Sequence, residues 1–478
     1  MKNSEKIKAP HSFTARVGLL SIARIVQVLV TFLVFWLYTI RLTKDQYGNF
    51  QKVFVVAGFA SALITLGLPL LIASLPAEKV PALTRQLFFK NIRYYAVLFG
   101  ALTIFVFFSF SFISYIAKSL LVLLAVINAC YITVEIMVLK FGRDNKVFLA
   151  NILYAIFFGV IHYAALQKAP FSMTFLLSLL VILSFARLAW LFLKHIAPVL
   201  SEDLIDEEVS RIYQRQWLLL SLNEAFEAFS KYVDRIFLLW LLTAQAFAVY
   251  FNGAYEIPLL AIFISVSGTF ITVQAKQQDM GDQGILSLFY ISCIQLSFLL
   301  FPMFFFFQLN AYTIFNWLFL GKYNESVPIF LVTCWIIPFR IVNYTAILQT
   351  KLKSELIFQG SLIGFAAKLV LCFPLYSFWG SRGVALAVLI GTILQMIYYL
   401  TQTAHLLTIK KREMLPIRSL FIIFMISGGM LYIFQKMSSS WNSFNQILAG
   451  ISGMAIAVVI FILFRKIFLA ASRSLPLN

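Results

Sequence analysis

Charge is scarce in this chain. Only 12% of its 478 residues are Asp, Glu, Lys or Arg, while 61% are hydrophobic; a soluble domain carries about 25% charged residues. So little polar surface cannot wrap so large an apolar mass in water. Cysteine and histidine are scarcer still. Cys130, Cys293, Cys334 and Cys372 each fall inside an apolar run, without CxxC or metal-ligand spacing, and read as small buried core residues rather than a disulfide framework. His11, His162, His195 and His405 are scattered, which excludes a histidine metal site. There is no glycine-rich phosphate loop and no nucleophile–base constellation. No polar stretch is long enough to hold the hydrophilic domain that glycosyl transfer or ligation needs. An enzyme is therefore not expected, and no cofactor is implied.

What the chain has instead is a series of long apolar runs, such as Leu98 to Phe110 and Leu296 to Phe307. Lipid offers the backbone no hydrogen bonds, so only helices or closed barrels cross it. Barrel strands would be short and alternating. These runs are continuous and about 20 residues long, which is the length of a membrane-spanning helix. We therefore expect an all-α polytopic membrane protein with about fourteen crossings. Six fall near 17–40, 52–76, 93–114, 118–140, 147–166 and 171–193. Six more fall near 216–242, 246–273, 284–307, 327–350, 356–378 and 383–407, and two near 416–435 and 446–468. The expected organisation is a six-helix bundle over 1–194, a cytoplasmic amphipathic linker over 195–215, a second six-helix bundle over 216–407, and two additional crossings within 408–478. In the linker, Ser201 is placed to cap a surface helix with Glu202, Asp203 and Asp206 in its first turns. Met1 to Arg16 is basic and polar; the run that follows is too long for a signal-peptide core, so it reads as an uncleaved first helix.

Lys and Arg are unevenly shared between alternate loops, by roughly threefold, which predicts that both termini are cytoplasmic. The same bias accounts for much of the +19 net charge without a nucleic-acid partner. The two halves also match at an offset of 200 residues. Leu19-Leu20-Ser21 and Leu42-Thr43 in the first correspond to Leu219-Leu220-Ser221 and Leu242-Thr243 in the second. Both units begin on the same side, so the repeats are parallel, an arrangement that suits a rocking transporter.

Charge within a bilayer costs several kcal/mol unless it is paired or hydrated (about 2.5–3.5 on insertion scales). Crossing 7 carries the densest set: Asn223, Glu224, Glu227, Ser230, Lys231, Asp234 and Arg235. At about 100° per residue they share an arc of roughly 140°. Such a stripe suits a helix lining a hydrated cavity; Glu227, Lys231 and Asp234 are also spaced to pair along the helix. Arg24, Arg340 and Lys368 add cations inside crossings 1, 10 and 11, and Glu256 precedes Pro258 in crossing 8. Arg187 is close enough to a helix end to reach the interface, and Glu135 is also near an end. The candidate ligand-binding cations are thus Arg24, Lys231, Arg235, Arg340 and Lys368. The candidate coupling acids, for H+ or Na+, are Glu224, Glu227, Asp234 and Glu256. A diphosphate would suit this interior, because arginine grips oxyanions bidentately.

The chain resembles the Wzx-type polysaccharide-biosynthesis flippases of the multidrug/oligosaccharidyl-lipid/polysaccharide exporter (MOP) superfamily. The resemblance rests on the six-plus-six-plus-two layout and on short traces. These are Leu42-Thr43-Lys44-Asp45-Gln46-Tyr47-Gly48-Asn49-Phe50, Asp234-Arg235 with Tyr250, Gly321-Lys322-Tyr323, and Gly380-Ser381-Arg382-Gly383-Val384-Ala385-Leu386-Ala387. It implies a V-shaped, MATE-like pair of bundles around a central cavity. It further implies that a bacterial inner-membrane protein moves an undecaprenyl-diphosphate-linked oligosaccharide between leaflets for O-antigen, capsule or exopolysaccharide synthesis. The implied partners are that lipid-linked substrate, membrane lipids, and a polysaccharide polymerase with its chain-length regulator. Three alternatives remain open: a lipid II flippase, although no dense arginine signature appears near crossings 1 and 2; a cation-coupled multidrug exporter; and a non-transporting scaffold of a polysaccharide assembly complex.

Overall fold

A computed structural model describes residues 13–75, 80–168, 170–197, 207–255, 257–277 and 280–473. Among them every regular element is a helix, as lipid demands of backbone that cannot bond to water. Among the described residues, nine helices are long and apolar enough to cross a membrane, or ten if one bent pair counts as a single span. The chain is thus a multi-pass membrane protein.

The helices are α1 (Phe13–Arg41), α2 (Lys44–Ile64), α3 (Leu68–Ser74), α4 (Val80–Lys90), α5 (Ile92–Ser109), α6 (Tyr115–Lys140), α7 (Asp144–Gln167) and α8 (Met173–Leu191). The chain continues through α9 (Glu207–Leu241), α10 (Ala244–Gly253), α11 (Pro258–Gln277), α12 (Asp282–Phe319), α13 (Val327–Cys334), α14 (Ile336–Phe339) and α15 (Ala346–Thr350). It ends with α16 (Ser354–Leu406), α17 (Ile417–Ser438), α18 (Ser443–Leu463) and α19 (Arg465–Arg473). They form two compact units. The first holds residues up to Arg41 with Val53–Ala228, and the second holds Leu42–Lys52 with Phe229–Asn478. Helices α2 and α9 therefore each contribute to both.

In the first unit, α6 packs on α8 and α1 on α7. A core of Leu71, Ile72, Leu83, Val138, Leu191 and Trp217 joins α3, α4, α6, α8 and α9. Ser114 and Ser172 start α6 and α8 by accepting hydrogen bonds from Ala117 N and Phe175 N. In the second unit, α17 and α18 pack on α12. Their seam is aromatic: Phe298 stacks on Phe461 at 5.3 Å, and Phe424 meets Phe301, Phe304 and Phe305. Gly428 and Gly450 let the backbones approach these rings; a Cβ at either would lie 2.8 Å from a phenylalanine carbon.

The 200-residue correspondence takes physical form inside the second unit. Thr43 Oγ1 accepts from Gln46 N and Thr243 Oγ1 from Ala246 N, so matched residues cap α2 and α10. Asp45 and Gln245, also 200 apart, hydrogen-bond to each other at 2.7 Å. Gly48 approaches α10 so closely that a Cβ would sit 1.8 Å from the Ala244 carbonyl oxygen. Lys44 pairs with Glu325 at 3.2 Å, and Tyr47 donates to Asn252 Oδ1 at 3.0 Å.

Several expected crossings are interrupted. The run 52–76 bends by 46° between α2 and α3, where Leu66 and Gly67 both adopt positive φ and Pro69 opens α3. The run 246–273 divides into α10 and α11; Glu256, in that break, lies outside the described residues. The run 327–350 is three short helices rather than one. The runs 356–378 and 383–407 meet at Gly380, whose φ of 58° and ψ of −140° suit glycine alone. Gly383 then packs against the Leu375 carbonyl. Ser201 to Asp206, with the expected linker cap, lie outside the described residues. The linker's C-terminal part is not separate: α9 starts at Glu207 and runs unbroken through crossing 7. Of the cysteines, Cys293, Cys334 and Cys372 are buried as expected, whereas Cys130 is exposed on α6.

Candidate functional site

Broken helices raise a problem that continuous ones do not. Each break leaves N–H and C=O groups unpaired, and inside a membrane water is not there to take them. Two breaks are served by charged side chains of α9. In the first unit, Glu224 Oε2 accepts from Gly67 N at 2.8 Å and from Thr65 Oγ1 at 3.1 Å. Ser221 Oγ, one turn earlier, donates to Leu66 O. An acid thus sits at the N-terminus of α3, the positive end of its dipole. In the second unit, Arg235 Nη2 donates to the Ala254 carbonyl at the end of α10, 3.3 Å away. There a cation sits at the negative end. The signs are those that the helix dipole prefers in both places.

Other members of the stripe are also bound to protein. Buried Asp234 accepts from Tyr250 Oη at 2.6 Å. Lys368 of α16, buried as well, donates to Ser230 Oγ at 2.9 Å and to the Ser230 carbonyl at 3.4 Å. Glu227 and Lys231 are exposed, one turn apart on the same face. Arg24 is exposed on α1. Arg340 is half-buried at the end of α14, where the chain leaves helical geometry before α15. Glu224 and Glu227 belong to the first unit, and Lys231, Asp234, Arg235, Arg340 and Lys368 to the second.

A second cluster, in the first unit, was not apparent in the sequence. Arg187 is not extended to the interface as its position on α8 suggested. It is drawn inward between two tyrosines, with its guanidinium carbon 3.4 Å from the ring centre of Tyr131 and 3.6 Å from that of Tyr154. Contacts of this kind are worth about 2 kcal/mol or more when desolvated. Tyr131 Oη donates to Asn151 Oδ1 at 2.6 Å, and Asn151 Nδ2 donates to Glu135 Oε1 at 2.8 Å. Gln27 Nε2 reaches the Asn151 carbonyl at 3.5 Å. Glu135, set aside in the sequence because it is near a helix end, is therefore part of a network linking α1, α6, α7 and α8. The only sequence signal was the i, i+4 placement of Tyr131 and Glu135 on one helix.

Among the described residues, no group of three or more His, Cys, Asp or Glu side chains could hold a metal ion.

No protein-family model and no curated sequence matches the chain. Solved structures do match. An inward closed conformation of the lipid II flippase MurJ superposes with a TM-score of 0.64 and 16% identity, covering 94% of this chain and 99% of that one. An inward-facing multidrug resistance MATE family transporter of the MOP superfamily gives 0.60 and 16%, covering 82% and 98%. A MOP superfamily transporter from Pyrococcus furiosus, described as having a binding pocket of reverse polarity, gives 0.52 and 13%, covering 82% and 95%. The chain therefore has the fold that MurJ and MATE transporters share.

Proposed function

We propose that this protein is a flippase. It carries an undecaprenyl-diphosphate-linked oligosaccharide from the cytoplasmic to the periplasmic leaflet by alternating access, for surface polysaccharide synthesis. The observation that carries the reading is the extent of the fold match. The lipid II flippase MurJ aligns with 94% of this chain, whereas the multidrug transporter aligns with 82%. The additional share favours the branch of the fold that handles lipid-linked cargo. Of the three alternatives, a lipid II flippase is therefore the second reading. The Wzx-like traces in the sequence, and the lack of a dense arginine set near crossings 1 and 2, favour an oligosaccharide over lipid II. On this reading the chain has fourteen crossings with both termini cytoplasmic.

The candidate residues divide by accessibility. Arg24 and Glu227 of the first unit, and Lys231 and Arg340 of the second, are exposed or half-buried; each cation is a candidate for the diphosphate head group, and Glu227 for a coupling ion. Glu224, Asp234, Arg235 and Lys368 hold helix breaks and helix pairs in register, so their effect on cargo is through positioning. Broken helices at such sites suit a carrier, because irregular backbone at membrane depth is tolerated where it is buried in protein or lines a wet cavity.

Deleting the gene tests this. Lipid-linked repeat units should accumulate on the inner leaflet, and surface glycan should disappear. Restoration of growth in a strain depleted of its lipid II flippase would transfer the assignment to the second reading. Unchanged surface glycan with no trapped intermediate would defeat both.

A further inference from the structure

Beside Arg187 lies a cavity of about 190 Å³, lined by Gln27, Val30 and Thr31 of α1, Tyr154 and Phe158 of α7, and Arg187 itself. The ring centres of Tyr131 and Tyr154 lie 3.4 and 3.6 Å from the guanidinium carbon, so aromatic rings occupy the space against its plane. Recognition is thus restricted to its edge, where its five N–H donors point. Among the described residues these donors meet no protein acceptor. The Nε is buried and has no hydrogen-bond partner, and the carboxylate of Glu135 is beyond ion-pair reach and is engaged by Asn151. A desolvated donor left unsatisfied costs about 1–3 kcal/mol, and more when it is charged. A guanidinium fixed between two rings with its fork unused is preorganised for a planar or tetrahedral acceptor.

We propose that this cavity is an oxyanion-binding site, in which Arg187 grips a carboxylate or phosphate group edge-on. Tyr131 and Tyr154 hold the guanidinium plane, and Gln27 and Thr31 offer an amide and a hydroxyl to the remaining oxygens. The hydroxyl has one proton, which goes to the Gln27 carbonyl at 2.8 Å, so it reaches the anion only by giving up that bond. The apolar wall, Val30 and Phe158, admits a ring or short chain attached to the anion. Tyrosine stacking also specifies arginine over lysine, since a lysine ammonium provides neither a flat face for two rings nor a fork. Two sources supply such a group: an acidic sugar or free phosphate in solution, and the phosphate of an anionic lipid. The assignment stands independently of the flippase reading and is tested without transport.

The full-length protein in detergent would be titrated at constant ionic strength with sodium phosphate, sodium glucuronate and uncharged glucose, and binding read by calorimetry. A parallel arm would use nanodiscs with and without phosphatidylglycerol. Glucuronate or phosphate should bind and glucose should not. Arg187→Gln should weaken binding at least tenfold, and Gln27→Ala a few-fold. Loss of anion binding only in phosphatidylglycerol nanodiscs assigns the site to lipid phosphate, and its retention there assigns it to a soluble anion. Should Arg187→Gln fail to fold, Arg187→Lys keeps the charge and should still weaken binding several-fold, because the fork is gone. No anion binding by the parent protein in either setting, or equal binding by Arg187→Lys and the parent, would overturn the proposal.

Discussion

The polar stripe of α9 and the Arg187 cluster teach opposite lessons about charge in a membrane. The stripe is conspicuous, with five ionisable residues between Glu224 and Arg235. Yet Glu224, Asp234 and Arg235 are bonded to protein. The Arg187 cluster has one cation and one acid on different helices, and its guanidinium donors are unused. Density of charge in the sequence therefore measures how much polar bonding a helix must supply. It does not measure how much remains for a ligand. Broken neighbours explain the difference: α9 runs beside the ends of α3 and α10 and meets their orphaned backbone groups, whereas α8 has unbroken neighbours and no such demand on Arg187.

The comparison can be broken first at the helix breaks. Gly67→Ala combines a positive φ with a Cβ placed 2.6 Å from the Leu220 backbone. It should cost about 3 kcal/mol or more, seen as a large fall in thermal midpoint or loss of folded protein in detergent. Glu224→Ala comes next. It strands Gly67 N, while Thr65 Oγ1 keeps its bond to the Ala62 carbonyl; about 1–3 kcal/mol should be lost, and Glu224→Gln recovers part because an amide oxygen still accepts. Tyr250→Phe leaves the buried Asp234 carboxylate without this donor, and about 2 kcal/mol should be lost by the same measurement. The smallest stability effects belong to the exposed pair. Glu227→Gln and Lys231→Gln should each stay within about 0.5 kcal/mol of the parent. If the flippase reading holds, they should nevertheless fail to restore surface glycan in the deletion strain. A large destabilisation by either would show that exposed charge on this helix carries the fold as the buried residues do, and would remove the contrast.

Much of the fold was legible because lipid imposes one rule on every segment. Apolar runs had to be helices, and among the described residues every regular element is one, though several of the expected runs are broken. The breaks were harder to read. Pro258 and Gly380 signalled two of them, since proline lacks a donor and glycine alone enters the Gly380 conformation. Nothing in Arg340-Ile341-Val342-Asn343 announced that helix would stop there. There Asn343 lies against Gly268, where a Cβ would be 2.3 Å from its Nδ2. The candidate site was legible in composition only. Glu224 and Glu227 look alike in sequence, but one faces the Gly67 break and the other is exposed.

The sequence alone determined the solvent of this protein, the helical class and the correspondence between Leu42-Thr43 and Leu242-Thr243 at a 200-residue offset. Those follow from local rules: length, hydropathy and a threonine cap repeated at Thr43 and Thr243. Only tertiary structure decided which charges are consumed by helix ends and which are left to meet a ligand. A side chain's hydrogen-bond partner is set by what lies within about 3 Å of it, and Gly67 with Glu224, or Leu66 with Ser221, are brought that close by packing across 157 and 155 residues of chain.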